Sequence, residues 1–344
     1  RREVYLKIEG LKVLVTGGAG FIGSHLVDRL VDLGCQVIVL DNLSTGKLEN
    51  IAHHLSSNGK VKLVRADIRD VELVNKLVKD CQVIFHEAAV VGVKRYVENP
   101  INVIEVNVLG TRNILDAARK YDVKRLILAS TSEVYGKNIK TPLKEDDDRV
   151  LGPTYIDRWC YSTSKALDEH LTIGYYRLYG LKSVILRYFN VFGPRQECST
   201  YGTVIPRFIA QALTNRNLTV FGNGQQSRCF TYIDDIIEGT VKAAEVDEAV
   251  GKILNLGSNT ETRIIDLANL IIKLAGVEGK VKPIYIPYEE FYGKWYEDLP
   301  KRTPDVSEAS KVLGYYPKVD LVDGLKKTIE WYRKNPSRLN EIIS

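Results

Sequence analysis

In the first half of the chain, short β-branched runs alternate with longer amphipathic stretches. Lys12–Thr16, Gln36–Leu40, Lys62–Arg65, Val83–His86 and Arg125–Ala129 read as strands. Phe21–Leu33, Val71–Lys79, Val103–Tyr121 and Ser162–Tyr179 carry helical spacing, and Ser183–Tyr188 adds a sixth strand. This alternation predicts an α/β fold, a doubly wound parallel sheet with helices on both faces. After Gly193-Pro194 the texture changes: Pro, Gly and aromatic residues become more frequent and the periodic segments shorten. Residues 1–193 are therefore expected to form one part, and residues 194–344 a smaller, mixed α/β substrate-binding part. A short apolar run at Lys252–Leu256 is expected to rejoin the first sheet, which would interleave the two.

Composition narrows the classes. The 344 residues are 44% hydrophobic and 26% charged, an ordinary globular balance. The net charge of +5 is small, and Lys and Arg are scattered among nearly as many acids, so no nucleic-acid surface is expected. No apolar run is long enough to span a bilayer and no secretory leader opens the chain, which predicts a cytoplasmic protein. The five cysteines lack metal spacing and read as reduced thiols. Glu145–Asp148 reads as a solvated loop, and the five histidines show no zinc spacing, so no metal is expected.

The first strand runs into Gly17, Gly20 and Gly23, a G-x-x-G-x-x-G pattern ahead of a helix that begins Phe21-Ile22. A pyrophosphate needs close backbone approach, free N–H groups and the positive end of a helix; glycines at this turn permit all three. This is a Rossmann-type dinucleotide fingerprint. Asp41 ends the second strand, where a carboxylate accepts from the adenosine ribose hydroxyls and repels a 2′-phosphate. The following Asn42, Ser44, Thr45 and Gly46 bring no Arg, so NAD is expected rather than NADP. Asp67-Ile68 after the third strand are placed at the adenine, and Ala88-Ala89 after the fourth where the cofactor passes.

Tyr161 and Lys165 stand four residues apart on a predicted helix and share a face. A tyrosine has an unperturbed pKa near ~10, too high for a base at neutral pH. A neighbouring ammonium favours the phenolate. Thr131 at a strand end would hold the substrate hydroxyl, Tyr161 would take its proton, and Lys165 would also hold the nicotinamide ribose.

Together these segments resemble the extended short-chain dehydrogenases/reductases that modify nucleotide sugars. The resemblance runs from Val13 to about Tyr332. It rests on TGGAGFIG (Thr16–Gly23), DNLSTG (Asp41–Gly46), EVNVLGT (Glu105–Thr111), STSEVYG (Ser130–Gly136), YSTSK (Tyr161–Lys165) and RYFNVFGPRQ (Arg187–Gln196). It continues in VIPRF (Val204–Phe208), TVFGNGQQSRCFTYIDD (Thr219–Asp235) and RTPDVSEASKVLGY (Arg302–Tyr315). It implies a UDP-sugar substrate and a homodimer paired through a four-helix bundle built from the Val103–Tyr121 and Tyr161 helices. It places Asn190 at the substrate phosphates, Phe221 near the base, and Arg228 and Arg302 on the diphosphate. Val204, Phe208 and Arg195 fall in its substrate motifs, Asn107 and Lys94 where relatives touch cofactor or substrate. Glu87 departs from the apolar residue usual in its segment.

The family branches share C4 oxidation of the sugar and then diverge. GPRQ (Gly193–Gln196) and VIPRF resemble 4-epimerases; this reading is placed first. Ser132-Glu133 resembles decarboxylases and one class of dehydratase, where a Glu beside the catalytic Thr works at C5. Gly152-Pro153, Arg158-Trp159 and Arg228–Thr231 resemble a decarboxylase domain. UDP-glucuronate decarboxylation is the alternative and 4,6-dehydration the third. An NAD-binding relative without turnover would lack Tyr161 or Lys165; both are present.

Overall fold

The computed structural model describes residues 5–55, 59–197, 203–288, 290 and 299–342; Cys198 and the side chain of Lys94 lie outside what is described. The strands are β1 (Lys12–Thr16), β2 (Gln36–Asp41), β3 (Val61–Arg65), β4 (Val83–His86), β5 (Arg125–Thr131), β6 (Ser183–Tyr188), β7 (Val191–Phe192), β8 (Leu218–Phe221), β9 (Ser227–Cys229), β10 (Thr231–Tyr232), β11 (Ile253–Leu256), β12 (Glu261–Arg263) and β13 (Pro283–Ile286). Seven form one sheet in the order β11-β6-β5-β4-β1-β2-β3. Every pairing within it is parallel. The doubly wound Rossmann-type expectation is met.

Alternation along β1 shows how the sheet is covered. Val13 and Val15 enter one core with Leu26, Val27 and Ile236, while Leu14 enters the other with Val74, Ile114 and Leu115. Both faces are dry, so the strand is apolar from Val13 to Val15, with polar residues only at its ends. The Phe21–Asp32 and Ile233–Glu245 helices cover the first face; Val71–Val78 and Gly110–Lys120 cover the second. The β11 strand, drawn from the second half of the chain, lies parallel beside β6 with Leu254 opposite Leu186. The remaining strands form three two-stranded pieces, β7 with β10, β8 with β13 and β9 with β12.

Local signals account for most boundaries. Asp70 caps the Val71–Val78 helix by accepting from Leu73 N at 3.0 Å; such a cap contributes about 1 kcal/mol. Gly180, at φ 71°, closes the Arg158–Tyr179 helix, which starts one turn before the predicted Ser162. The predicted Val103–Tyr121 helix is not regular. It comprises Pro100–Ile104, a wide π turn over Glu105–Leu109, and Gly110–Lys120. A Cβ on Gly110 would meet the Ile68 side chain at 2.2 Å, so glycine lets the helix pack closely against the turn that follows β3. Such turns re-aim side chains near functional sites. Here Val106 lines the main cleft and Asn107 turns behind its wall.

Sheet order reverses between β1 and β4, and the cleft opens at the carboxyl ends of those strands, where doubly wound folds bind ligands.

Candidate active site

A cleft of about 1130 Å³ runs from the glycine turn past the sheet edge to the C-terminal part. Its first half is shaped for a dinucleotide. Gly17 has φ 69°, and a Cβ there would sit 2.9 Å from the Ala88 backbone; one on Gly23 would sit 2.2 Å from Gly17 O. The turn therefore presses against both the β4 end and the helix start, leaving a backbone cradle. Phe21, Ile22, Asn42, Ser44, Thr45, Asp67, Ile68, Ala88 and Ala89 line it, with Gly17, Gly20, Gly23 and Asp41. These residues fit NAD.

Asp41 does more than face the cleft. It accepts from Ala19 N at 2.9 Å and Leu43 N at 2.8 Å, so it also ties the glycine turn to the β2 end. Burial pushes its carboxyl up, and those two bonds oppose the shift. Gly46 does not line the cleft: a Cβ there would strike the Asp41 carboxylate at 2.8 Å, so its role is to leave that carboxylate room. Asn107 is likewise fully buried behind the wall. It accepts from Val90 N at 2.8 Å and donates to Ser164 Oγ at 3.0 Å, holding the loop rather than the ligand. The segment after Asp41 brings no Arg, but folding brings Arg69 to the cleft, neutralised by Asp67 at 2.8 Å and Glu105 at 3.3 Å.

The candidate catalytic half sits where β5 ends against the Arg158–Tyr179 helix. Thr131, Ser132, Glu133, Tyr161 and Lys165 converge there. The Thr131 hydroxyl accepts from Glu133 N at 3.2 Å and hydrogen-bonds the Tyr161 phenol. Ser162 Oγ donates to Glu133 O at 2.7 Å, fastening the helix to the same turn. The Tyr161 ring stacks on Tyr96 at 5.0 Å and 8°, and Gly92 N donates to the Tyr96 hydroxyl at 2.7 Å. Tyr96 thus fixes the plane of the candidate base, a partner that no motif marked.

Burial, and then the Glu133 charge, push the Tyr161 phenol well above its ordinary value; the Thr131 bond opposes them. Lys165 does not lower it here. Its Nζ donates to Asp168 Oδ2 at 2.8 Å, and both groups are buried, so a carboxylate already balances the ammonium. Asp168 lies three residues after Lys165 on the same helix face, a spacing that could have disclosed it.

Glu133 is held by two arginines. Arg302 Nη1 donates to its Oε1 at 2.5 Å, and Arg158 Nη2 lies 3.7 Å from Oε2. Burial alone would raise this carboxyl; Arg302 and then Arg158 overcome burial and hold it at about 2. Arg302, expected on a diphosphate, is paired here with Glu133 and lies near Ser132 (3.4 Å). Its Nε and Nη2 are buried with no hydrogen-bond partner among the described residues. Glu87, the departure from pattern, lines the cleft and accepts from the Tyr188 hydroxyl at 3.0 Å. Burial raises its carboxyl to about 7, against the Tyr188 bond and Lys165.

The far half collects Asn190, Arg195, Val204, Phe221 and Arg228. Phe208 is not among them. It is fully buried in the core, and Arg207 reaches the cleft in its place, stacked over Phe221 at 4.4 Å. Arg228 Nη1 donates to the Ser227 and Leu299 carbonyls, both at 2.8 Å. Glu145, read as part of a solvated loop, accepts from Asn255 N at 2.8 Å and is tied to β11. No helix among the described residues is long and apolar enough to cross a membrane.

Comparison with known proteins agrees with this geometry. The model of the NAD dependent epimerase/dehydratase family matches residues 13–257. UDP-N-acetyl-alpha-D-glucosaminuronate decarboxylase of Bacillus cytotoxicus is 44% identical over 324 residues, 94% of this chain and 98% of that protein. The structure of an epimerase from Methanothermobacter thermautotrophicus superposes with a TM-score of 0.88 at 32% identity, covering 97% of this chain and 95% of that one. UDP-glucuronic acid 4-epimerase from Bacillus cereus, solved with UDP-glucuronic acid and NAD, gives 0.84 at 32% identity, covering 94% and 100%. With a glycine cradle that fits the dinucleotide and a family match across most of the chain, this protein belongs to the NAD-dependent epimerase/dehydratase family of nucleotide-sugar enzymes, and its cofactor is NAD.

Proposed function

We propose that this protein is a UDP-hexuronate decarboxylase, oxidising the sugar at C4 and releasing its C6 carboxylate as CO₂. The observation that carries the reading is Arg302. Its guanidinium lies beside Glu133 and Ser132 in the cleft that Tyr161 also lines, with two buried donors left over. A buried unpaired donor costs about 1–3 kcal/mol, so it is expected where a ligand will satisfy it. A planar fork of this kind binds a carboxylate in paired fashion. A uronate supplies that carboxylate; a hexose with a neutral C6 hydroxymethyl does not.

Bound NAD supplies the hydride acceptor for C4. In the proposed sequence Thr131 hydrogen-bonds the C4 hydroxyl and Tyr161 takes its proton, while Lys165 orients the ribose and Asp168 holds Lys165. The resulting C4 ketone is β to the carboxylate and accepts the electron pair as the C5–C6 bond breaks. Arg302 and Arg158 orient the carboxylate before cleavage, and the anionic Glu133 disfavours its staying as a charged group. C5 then takes up one proton and the hydride returns to C4. Asn190, Arg195 and Arg228 would hold the diphosphate, and Val204, Arg207 and Phe221 the base. Epimerisation, placed first on sequence alone, now stands second. The similarity to the Bacillus cereus uronate 4-epimerase supports it, and that enzyme's substrate also carries a C6 carboxylate.

The test is mass spectrometry of products from UDP-glucuronate, UDP-N-acetylglucosaminuronate and UDP-glucose. The proposal expects a UDP-pentose, lighter by CO₂, from a uronate and no reaction with UDP-glucose. An isomer of unchanged mass from a uronate would establish epimerisation instead.

A further inference from the structure

Away from the catalytic residues, Asp28 on the Phe21–Asp32 helix meets two adjacent histidines on the short Ala52–Leu55 helix. Asp28 Oδ1 lies 2.7 Å from His54 Nε2 and 3.0 Å from His53 Nε2. The two rings lie 4.0 Å apart, and all three ligand atoms fall within 4.8 Å of one another. The other oxygen, Oδ2, pairs with Arg195 Nη2 at 2.8 Å. None of the three lines the cleft, but Arg195 does.

We propose that Asp28, His53 and His54 bind a divalent first-row transition ion, Zn²⁺ foremost, and that Arg195 links this site to the nucleotide cleft. Two imidazoles and one carboxylate suit Zn²⁺ and are wrong for Mg²⁺ or Ca²⁺, which take oxygen. Zn–N and Zn–O bonds of about 2.0–2.2 Å set tetrahedral ligand atoms roughly 3.3 Å apart. The separations from the shared oxygen need only open by a few tenths of an ångström. Water can fill the fourth position. His25 does not join the set, because its Nε2 bonds Pro194 O at 2.9 Å. An Asp 25 residues before a His-His pair is no zinc spacing, so only the fold discloses it.

The link follows from the shared carboxylate. A metal at Oδ1 withdraws charge from Asp28 and weakens its hold on Arg195. Arg195 has φ 67°, an uncommon conformation for a non-glycine residue, and sits where a phosphate would pass. Released from Asp28, its guanidinium is freer to meet a phosphate.

The full-length protein, stripped with chelator, is titrated with Co²⁺ by visible absorption and then with Zn²⁺ as competitor. We expect one saturable Co²⁺ equivalent, displaced by Zn²⁺. In the His53→Gln/His54→Gln variant, affinity should fall by at least about tenfold, with circular dichroism and NAD content unchanged. The Kd of UDP should tighten about threefold or more with Zn²⁺ in the parent protein and not in the variant. Lack of saturable Co²⁺ binding, or equal binding by the variant, would overturn the site. An unchanged UDP Kd in the Zn²⁺-loaded parent would overturn the link. Each readout is independent of which sugar reaction the enzyme performs.

Discussion

Arg302 and Glu133, 169 residues apart in sequence, form an ion pair within the catalytic cleft. The pair keeps Glu133 anionic at any working pH, since its carboxyl is held at about 2. For the proposed reaction, Glu133→Gln should still allow NADH to form from UDP-glucuronate but cut product formation by about 10²-fold or more. Stopped absorbance of NADH alongside product analysis reads both. If the variant decarboxylates within about tenfold of the parent, a barrier change of only about 1.4 kcal/mol, Glu133 has no part after C4 oxidation.

Tyr161→Phe removes the proton acceptor and leaves the ring that stacks on Tyr96. Turnover should fall by about 10²–10⁴-fold while bound NAD is retained. Near-full activity on the true substrate would show that another group takes the C4 proton.

His86 predicts an acid limb in stability. It is buried between Thr16 Oγ1 at 2.7 Å and Thr111 Oγ1 at 2.9 Å. Burial, with a smaller push from Lys165, lowers its pKa from 6.5 to about 3. Between those values the unfolded chain binds the proton and the folded one does not. Stability from this group is therefore full above the unfolded pKa and is lost as pH falls from 6.5 toward 3, with a slope of up to about 1.4 kcal/mol per pH unit. Denaturant melts of His86→Gln across that range should show a shallower acid slope than the parent. An equal slope would assign the acid limb to other groups, such as His25, which burial and Arg195 lower to about 4.

The two helices expected to pair across a two-fold axis expose apolar residues. Ile104 and Leu109 are 44% and 50% exposed, with Ile101 just before them at 67%, and Leu167 and Leu178 are 43% and 76% exposed. Light scattering at micromolar concentration should give a dimer mass, and Ile104→Asp with Leu167→Asp should give a monomer. A monomeric parent would refute the four-helix-bundle expectation.

The strands and the glycine turn were legible because period and local chemistry carry them. The apolar run of β1 and the glycines after it have no other good conformation. The π turn at Glu105–Leu109 was not legible, since it lies where Gly110 packs against Ile68, in the turn after β3 and far away in sequence. Motif resemblance also ran past side-chain direction. Phe208 shares VIPRF with Arg207, yet the helix turns Phe208 into the core and Arg207 to the cleft. Gly46 and Asn107 belong to cofactor motifs but act by making room or bracing a loop. Arg302 was legible as a site arginine but not as the partner of Glu133, because nothing local joins residues so far apart.

Turnover of UDP-glucuronate and UDP-N-acetylglucosaminuronate in D₂O, followed by proton NMR of the product, distinguishes, at C5, decarboxylation from epimerisation. Decarboxylation breaks the C5–C6 bond, and C5 must then take a solvent proton. The expected product is a UDP-pentose carrying one deuterium at C5, with CO₂ released in equal amount. Recovery of a C4 epimer that retains its carboxylate and its original C5 hydrogen would contradict it.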